Sequence, residues 1–253
     1  EHWFVVPGVV GSNPIIRPKC LSRNAGAFFV IFLYICLEND RMNPVFLKRF
    51  LIVLYAAGLI GLHLPITATL FTSLVPLTLW FTAFICVVYF PKPSFQAYLF
   101  LAIVAIAAWF LEVQGVRTGK IFGVYSYGKT LGFQLLKVPL TIGLNWLVLL
   151  LATNAVVEEW NIAGKISKAA IGAGLMTALD FLIEPVAVHF DFWTWAGVQV
   201  PAQNFIAWWM ASFFFHLAYQ NTPFPSKSSL FRLIAALQFL FFLGHWLLLQ
   251  FNF

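Results

Sequence analysis

Long apolar stretches alternate with short polar segments along most of the chain after residue 42. A membrane-spanning helix needs about 20 predominantly apolar residues, whereas the strands of a membrane barrel alternate in polarity with a period of two. The stretches in this chain lack that alternation, so the pattern predicts helices. Seven of them are expected to cross a membrane, over residues 50–64, 70–90, 95–113, 135–153, 166–183, 205–219 and 230–251.

Prolines punctuate these stretches and help to place their ends. Pro185 follows the fifth stretch closely and is expected to end its helix, because a proline has no backbone N–H to donate. Pro76 and Pro139 fall inside predicted spans, where they are expected to kink the helices.

Composition narrows the class of protein further. Of the 253 residues, 61% are hydrophobic and only 9% are charged, whereas an average soluble domain is about 25% charged. These values exclude an ordinary water-soluble domain and a disordered tail, and three cysteines are too few for a disulfide scaffold. The predicted fold class is therefore all-α, a polytopic membrane helix bundle of about seven transmembrane helices.

Residues 1–41 differ from the rest of the chain. Residues 5–19, VVPGVVGSNPIIRPK, resemble the translation of a transfer-RNA gene, and MNPVFLKRFLIVLY from Met42 reads like a bacterial start followed by an apolar span. Residues 1–41 are therefore expected to be a mis-called upstream extension, and residues 42–253 a single integral membrane domain. The alternative is a signal or anchor segment, since residues 25–37 are apolar.

The distribution of basic residues bears on orientation. In the alternating topology one side carries Lys48, Arg49, Lys92, Lys165, Lys168, Lys227 and Arg232, and the other carries Arg117, Lys120, Lys129 and Lys137. The excess of positive charge favours a cytoplasmic amino terminus in the cell (inner) membrane. All four basic residues of the minority side come from the single loop after the third span.

Acidic residues are scarce, with nine in the whole chain, and alternation of the helices brings three of them to one face of the bundle. The ends of odd-numbered spans lie beside the beginnings of even-numbered ones, which gathers Glu112, Asp180 and Glu184 with Asn145, Trp146, Asn204 and Trp208. Ionisable groups in apolar surroundings are costly, so their presence predicts a functional site.

Asp180 and Glu184 are four residues apart and lie on one face of a helix. Two carboxylates that close in a low-dielectric site repel each other, so the pair is expected to retain one proton at neutral pH, as acid–base catalysis requires. The alternative is a structural pair neutralised by Arg117 or Lys120. Glu112 taken alone also suits a solvated helix end.

Two aromatic segments remain open to more than one interpretation. Residues 115–132 combine five glycines with Tyr125 and Tyr127, which suits an apolar ligand or a flexible loop at the membrane interface. Residues 192–195, FWTW, either line a polyene tunnel or mark the interface. The histidines show no spacing typical of a metal site, so no metal is predicted.

Several segments together resemble the carotenoid-biosynthesis membrane proteins of the CruF type, a family that includes bisanhydrobacterioruberin hydratase and carotenoid 1,2-hydratases. The resemblance covers about residues 50–245 and is carried by EVQGVRTGKIFGVYSYG (112–128), VPLTIGLNW (138–146), DFLIEPVAV (180–188), FWTW (192–195) and residues 201–208. It implies addition of water across the C1–C2 double bond of an acyclic ψ end group, which gives a 1-hydroxy carotenoid.

Hydration of such an alkene through a tertiary carbocation requires an acid, a base and aromatic faces, and no cofactor or metal. Our hypothesis is that Asp180 or Glu184 is the acid and that its partner or Glu112 orients the water. The substrate-binding candidates are Tyr125, Tyr127, Asn145, Trp146, Asn204 and Trp208. The expected partners are a hydrophobic polyene, water and membrane lipid, with no nucleic acid.

Two other functions stay open at this point. A carotenoid end-group cyclase or isomerase would share the protonation step and yield a product of unchanged mass. A non-enzymatic apolar-ligand binder or transporter would have the same composition, although the chain shows no convincing internal repeat of the kind many transporters have.

Overall fold

A computed structural model describes residues 43–197, 199–225 and 227–250 of the chain. The expectation for residues 1–41 lies outside this range. The described residues form seven helices: α1 (Pro44–His63), α2 (Ala68–Val88), α3 (Phe95–Thr118), α4 (Leu140–Glu159), α5 (Lys165–His189), α6 (Ala202–Gln220) and α7 (Ser229–Gln250).

Six of these helices, all except α6, are long and apolar enough to cross a membrane. Helix α6 has 19 residues and carries Asn204, His216 and Gln220 among its apolar side chains. Polar groups on α6 face the inside of the bundle, where Asn204, Ser212 and His216 are fully or almost fully buried. The prediction of a polytopic membrane helix bundle is confirmed.

Helix α4 is the central helix of the bundle. In its apolar stretch 78% of the residues are buried, against 28% in α1, α2 and α7. It packs against α2, α3, α5, α6 and α7, and four of its six leucines, Leu147 and Leu149–Leu151, are buried. The outer helices instead expose large apolar side chains such as Ile52, Ile103 and Leu240, as expected for surfaces in lipid.

Two proline expectations are corrected. Helix α5 continues through Pro185 to His189, because a proline in the last turns removes one hydrogen bond while burial of Val186 and Ala187 still stabilises the helix. Helix α4 begins at Leu140, so Pro139 precedes the helix instead of kinking it. Pro76 does lie inside α2.

Two short antiparallel sheets, which the sequence did not predict, lie in the connections between helices. Strand β1 (Tyr125–Tyr127) pairs with β4 (Trp193–Trp195), and β2 (Gln134–Leu135) pairs with β3 (Val138–Pro139). Because side chains alternate along a strand, the Tyr-Ser-Tyr and Trp-Thr-Trp sequences place four aromatic rings on one face of the first sheet. Ser126 and Thr194 lie on the other face, with their hydroxyl oxygens 3.3 Å apart.

Replacing Gly143 with alanine is expected to destabilise the bundle by about 1–3 kcal/mol, the usual cost of overpacking. A Cβ atom at this position in α4 would collide with the backbone carbonyl of Ala105 and lie 3.0 Å from the Cβ of Trp109, both in α3. The measurement is thermal unfolding of the detergent-solubilised protein. Gly174→Ala is the matched control, because nothing lies within 4 Å of its added Cβ, and it should be neutral or slightly stabilising.

Candidate active site

Glu112 lies near the end of α3 and is only 3% exposed. Its Oε2 accepts hydrogen bonds from the hydroxyls of Tyr125 at 2.5 Å and Tyr127 at 2.8 Å. Its Oε1 accepts from the indole Nε1 of Trp146, on α4, at 2.9 Å. Three donors directed at one carboxyl group stabilise its ionised form.

The two tyrosines act on Glu112 as donors. Burial raises the pKa of both Tyr125 and Tyr127, and the charge of Glu112 raises each pKa further. Both hydroxyls therefore remain protonated at physiological pH and can keep donating to the carboxylate.

Asp180 and Glu184 lie on one face of α5, and the side chain of Asn204 on α6 joins them. The Nδ2 of Asn204 donates to Oδ2 of Asp180 at 2.8 Å and to Oε1 of Glu184 at 3.0 Å. One amide group thus uses both of its hydrogens to hold two carboxyl groups in a fixed arrangement. This contact also joins α5 to α6 inside the bundle.

Glu184 receives two further hydrogen bonds from the first sheet. The indole Nε1 atoms of Trp193 and Trp195 donate to its Oε2 at 3.0 and 2.9 Å. Strand β4 is therefore part of the site, in addition to the residues that sequence reasoning selected. The sequence signal for this strand is that Tyr-Ser-Tyr at 125–127 and Trp-Thr-Trp at 193–195 both alternate aromatic and hydroxyl residues with a period of two.

Asp180 has fewer partners than the other two acids. Its side chain is fully buried, its Oδ2 has a single donor, and its Oδ1 has no hydrogen-bond partner among the described residues. A buried carboxyl group with one donor is far less costly in its neutral form than as a carboxylate. The shared proton of the Asp180–Glu184 pair is therefore best accommodated on the Asp180 side.

These groups surround a small cavity whose walls are mostly aromatic. Its lining includes Glu112, Glu184, Tyr125, Tyr127, Asn145, Trp146, Asn204 and Trp208, together with Trp193 and Trp195. Asp180 is the one predicted site residue outside this lining, and it is joined to the site through its hydrogen bond from Asn204. Trp208 stacks on Trp146 with ring centroids 4.0 Å apart, which fixes the donor to Glu112.

The described basic residues and histidines take no part in the site. Neither Arg117 nor Lys120 forms an ion pair with the three carboxyl groups in the described part of the chain, so the structural-pair alternative is not supported. His63 and His245 lie apart from the cavity and hydrogen-bond to each other at 2.7 Å. Within the described ranges, no three His, Cys, Asp or Glu side chains are arranged to hold a metal ion.

A second, larger groove adjoins the cavity, and its walls are mostly apolar. Helices α1, α2, α4, α5 and α7 line it, with residues such as Leu54, Leu74, Leu79 and Phe241. Four residues belong to the walls of both spaces: Ile142, Asn145, Ile183 and Trp193. The groove can hold an apolar chain while one end of that chain enters the polar cavity.

Comparison with known proteins identifies the family of the chain. The profile of a family described as carotenoid biosynthesis protein matches residues 72–251. Bisanhydrobacterioruberin hydratase of Haloarcula japonica is 30% identical over 132 residues, which cover 47% of this chain and 43% of that protein. The match thus spans less than half the length of this curated relative. No solved structure matches the chain. With its profile match extending from α2 to the end of α7, the chain belongs to the carotenoid biosynthesis protein family.

Proposed function

We propose that this protein adds water across the C1–C2 double bond of an acyclic ψ end group and so forms a tertiary 1-hydroxy carotenoid. One observation carries the proposal: a cavity lined by Glu112, Glu184 and aromatic rings shares its wall with a long apolar groove. The name of the relative, a hydratase, supports the same type of reaction. The groove suits the polyene and the cavity suits the reacting end.

The first step is protonation of C2. Asp180 holds the shared proton but does not line the cavity, whereas Glu184 does, so the proton first passes from Asp180 to Glu184 and Glu184 then delivers it to the alkene. The π electrons of C1–C2 form the new C2–H bond, and a tertiary cation remains at C1. The faces of nearby rings, among them Tyr125 and Trp195, stabilise this cation.

The second step is capture of the cation by water. A water oxygen bonds to C1 and its surplus proton passes to Glu112, whose three donors favour the ionised, proton-accepting form at the start of the step. Glu112 then returns the proton to the Asp180–Glu184 pair through water in the cavity. The cycle consumes one water molecule and restores every carboxyl group.

Expression in a bacterial host that accumulates an acyclic carotene tests the proposal, with mass analysis of the extracted pigments. We expect the pigment to gain one water mass for each hydrated end. An isomer of unchanged mass would show a cyclase or isomerase instead. Unaltered pigment beside normal expression would contradict an enzymatic role and favour a binder or transporter.

We further propose that the chain lies in the cell (inner) membrane with its amino terminus in the cytoplasm. The support is the distribution of basic residues. Seven lie near the start of α1 or at the α2–α3, α4–α5 and α6–α7 connections, against four at the α3–α4 connection. Reporter fusions after Gln250 and within the α3–α4 connection should lie on the same, external side. Opposite sides would contradict the topology.

Trp195→Phe is expected to lower the hydration rate about fivefold, the effect of one neutral hydrogen bond of about 1 kcal/mol. The change removes one of two indole donors to Oε2 of Glu184 and keeps an aromatic face. Initial rates in membranes provide the measurement. Trp209→Phe is the control, since Trp209 is 39% exposed and lies outside the cavity lining; equal rates for the two variants would contradict the role of Trp195.

A further inference from the structure

An apolar groove on the outer surface of the bundle lies between α3 and α6. It is open to the outside of the bundle and shares no lining residue with the two spaces described above. Exposed side chains such as Ile206, Met210 and Phe214 form part of its walls, so it faces the surroundings of the protein. The proposed hydration does not use it.

The dimensions of this groove fit one chain of a lipid. Three small residues, Ala107, Ala207 and Ala211, leave a depression between the two helices. From Gln203 to Phe214 the groove follows α6 for about 16 Å at 1.5 Å per residue. The hydrocarbon core of a bilayer is about 30 Å thick, so this length matches a single leaflet.

One end of the groove is positively charged. Lys120 lies in its lining, and Arg117 precedes it by about one turn at the end of α3. Both side chains are exposed, and neither forms an ion pair with a carboxylate in residues 43–197, 199–225 or 227–250. The side chain of Gln203 donates to the carbonyls of Lys120 and Ile121, which fixes this end of the groove beside the start of α6.

We propose that this groove binds an anionic phospholipid. One acyl chain lies over the alanines, and the phosphate contacts Lys120 and Arg117. Charge complementarity identifies the occupant, because unpaired basic residues at the end of an apolar groove match an anionic headgroup above its chain. The same two residues belong to the basic cluster that stands on the minority side of the topology.

The test is native mass spectrometry of the full chain, released from detergent after incubation with phosphatidylglycerol or phosphatidylcholine of identical acyl chains. The wild-type protein should retain phosphatidylglycerol preferentially. Each basic residue near an anionic group contributes about a fivefold preference, so Arg117→Ala with Lys120→Ala should lower phosphatidylglycerol retention about 25-fold. Ala211→Phe, which fills the depression, should reduce retention of both lipids.

The matched control is Lys92→Ala with Lys227→Ala, which removes the same charge from exposed positions on the other side of the topology. This control should retain phosphatidylglycerol like the wild type. The proposal would be overturned if the wild type retained the two lipids equally or if both double variants lost phosphatidylglycerol equally. A lipid-free dimer that Ala211→Phe abolishes would also overturn it. No substrate is present, so the outcome is independent of the hydratase test.

Discussion

Replacing Glu184 with glutamine is expected to lower the hydration rate by about 100-fold or more, the usual contribution of a general acid. Glutamine keeps the shape of the side chain and can still accept hydrogen bonds from the indoles of Trp193 and Trp195. It cannot hold the proton that C2 of the alkene must receive. Product formation per unit of protein in isolated membranes measures the effect.

Glu159→Gln is the matched control for this substitution. Glu159 is an exposed carboxylate at the end of α4 and is paired with Arg232, away from the cavity. Its replacement should leave the rate unchanged. The acid role of the pair would be wrong if Glu184→Gln and Asp180→Asn both retained the wild-type rate, as the control Glu159→Gln should.

Replacing Glu112 with glutamine is also expected to lower hydration about 100-fold, but for a different reason. Glu112→Gln leaves the Asp180–Glu184 pair able to protonate the alkene and removes the base that accepts the proton of water. The cation then loses a proton and reverts to the alkene. In deuterated water, the carotene recovered from Glu112→Gln should therefore contain deuterium at C2.

The same exchange experiment separates the two carboxyl groups. Glu184→Gln cannot form the cation, so the carotene recovered from it should carry no deuterium at C2. Proton nuclear magnetic resonance or mass spectrometry of the recovered pigment measures the label. Exchange in Glu184→Gln and its absence in Glu112→Gln would reverse the two roles.

Sequence patterns predicted the helical bundle and the three central acids because both depend on simple regularities. Apolar stretches of span length define the helices, and alternation of the helices brings Glu112, Asp180 and Glu184 to one end. The i, i+4 spacing of Asp180 and Glu184 places them on one face of α5 without any knowledge of tertiary contacts. The residues at which the helices end were harder to predict, as the continuation of α5 through Pro185 shows.

The short sheet beside the cavity was not predictable in the same way. Strands β1 and β4 contain three residues each, and residues 128–192 separate them along the chain. No local periodicity therefore reveals their pairing. The FWTW segment was interpreted as a tunnel wall or an interface marker, whereas its indoles donate to Glu184. Likewise, only tertiary contacts show that Asn204 joins the two acids and that Asp180 lies outside the cavity lining.

The arrangement explains how a chain that avoids charge can carry three carboxyl groups inside. Glu112 and Glu184 each accept three hydrogen bonds from tyrosine, tryptophan or asparagine donors, which replace water around a buried acid. Asp180 has one donor and is best kept neutral. The uneven supply of donors thus favours a resting proton on Asp180 and ionised forms of Glu112 and Glu184, which is the state from which the proposed cycle starts.

The most direct test of the central claim is to incubate the purified protein with an acyclic ψ-end carotene in water enriched in a heavy oxygen isotope. The account predicts a product that has gained one labelled hydroxyl at C1 per hydrated end, formed at wild-type rate only when both Glu112 and Glu184 are present. A product that lacks the label, or an isomer that has gained no oxygen, would contradict it.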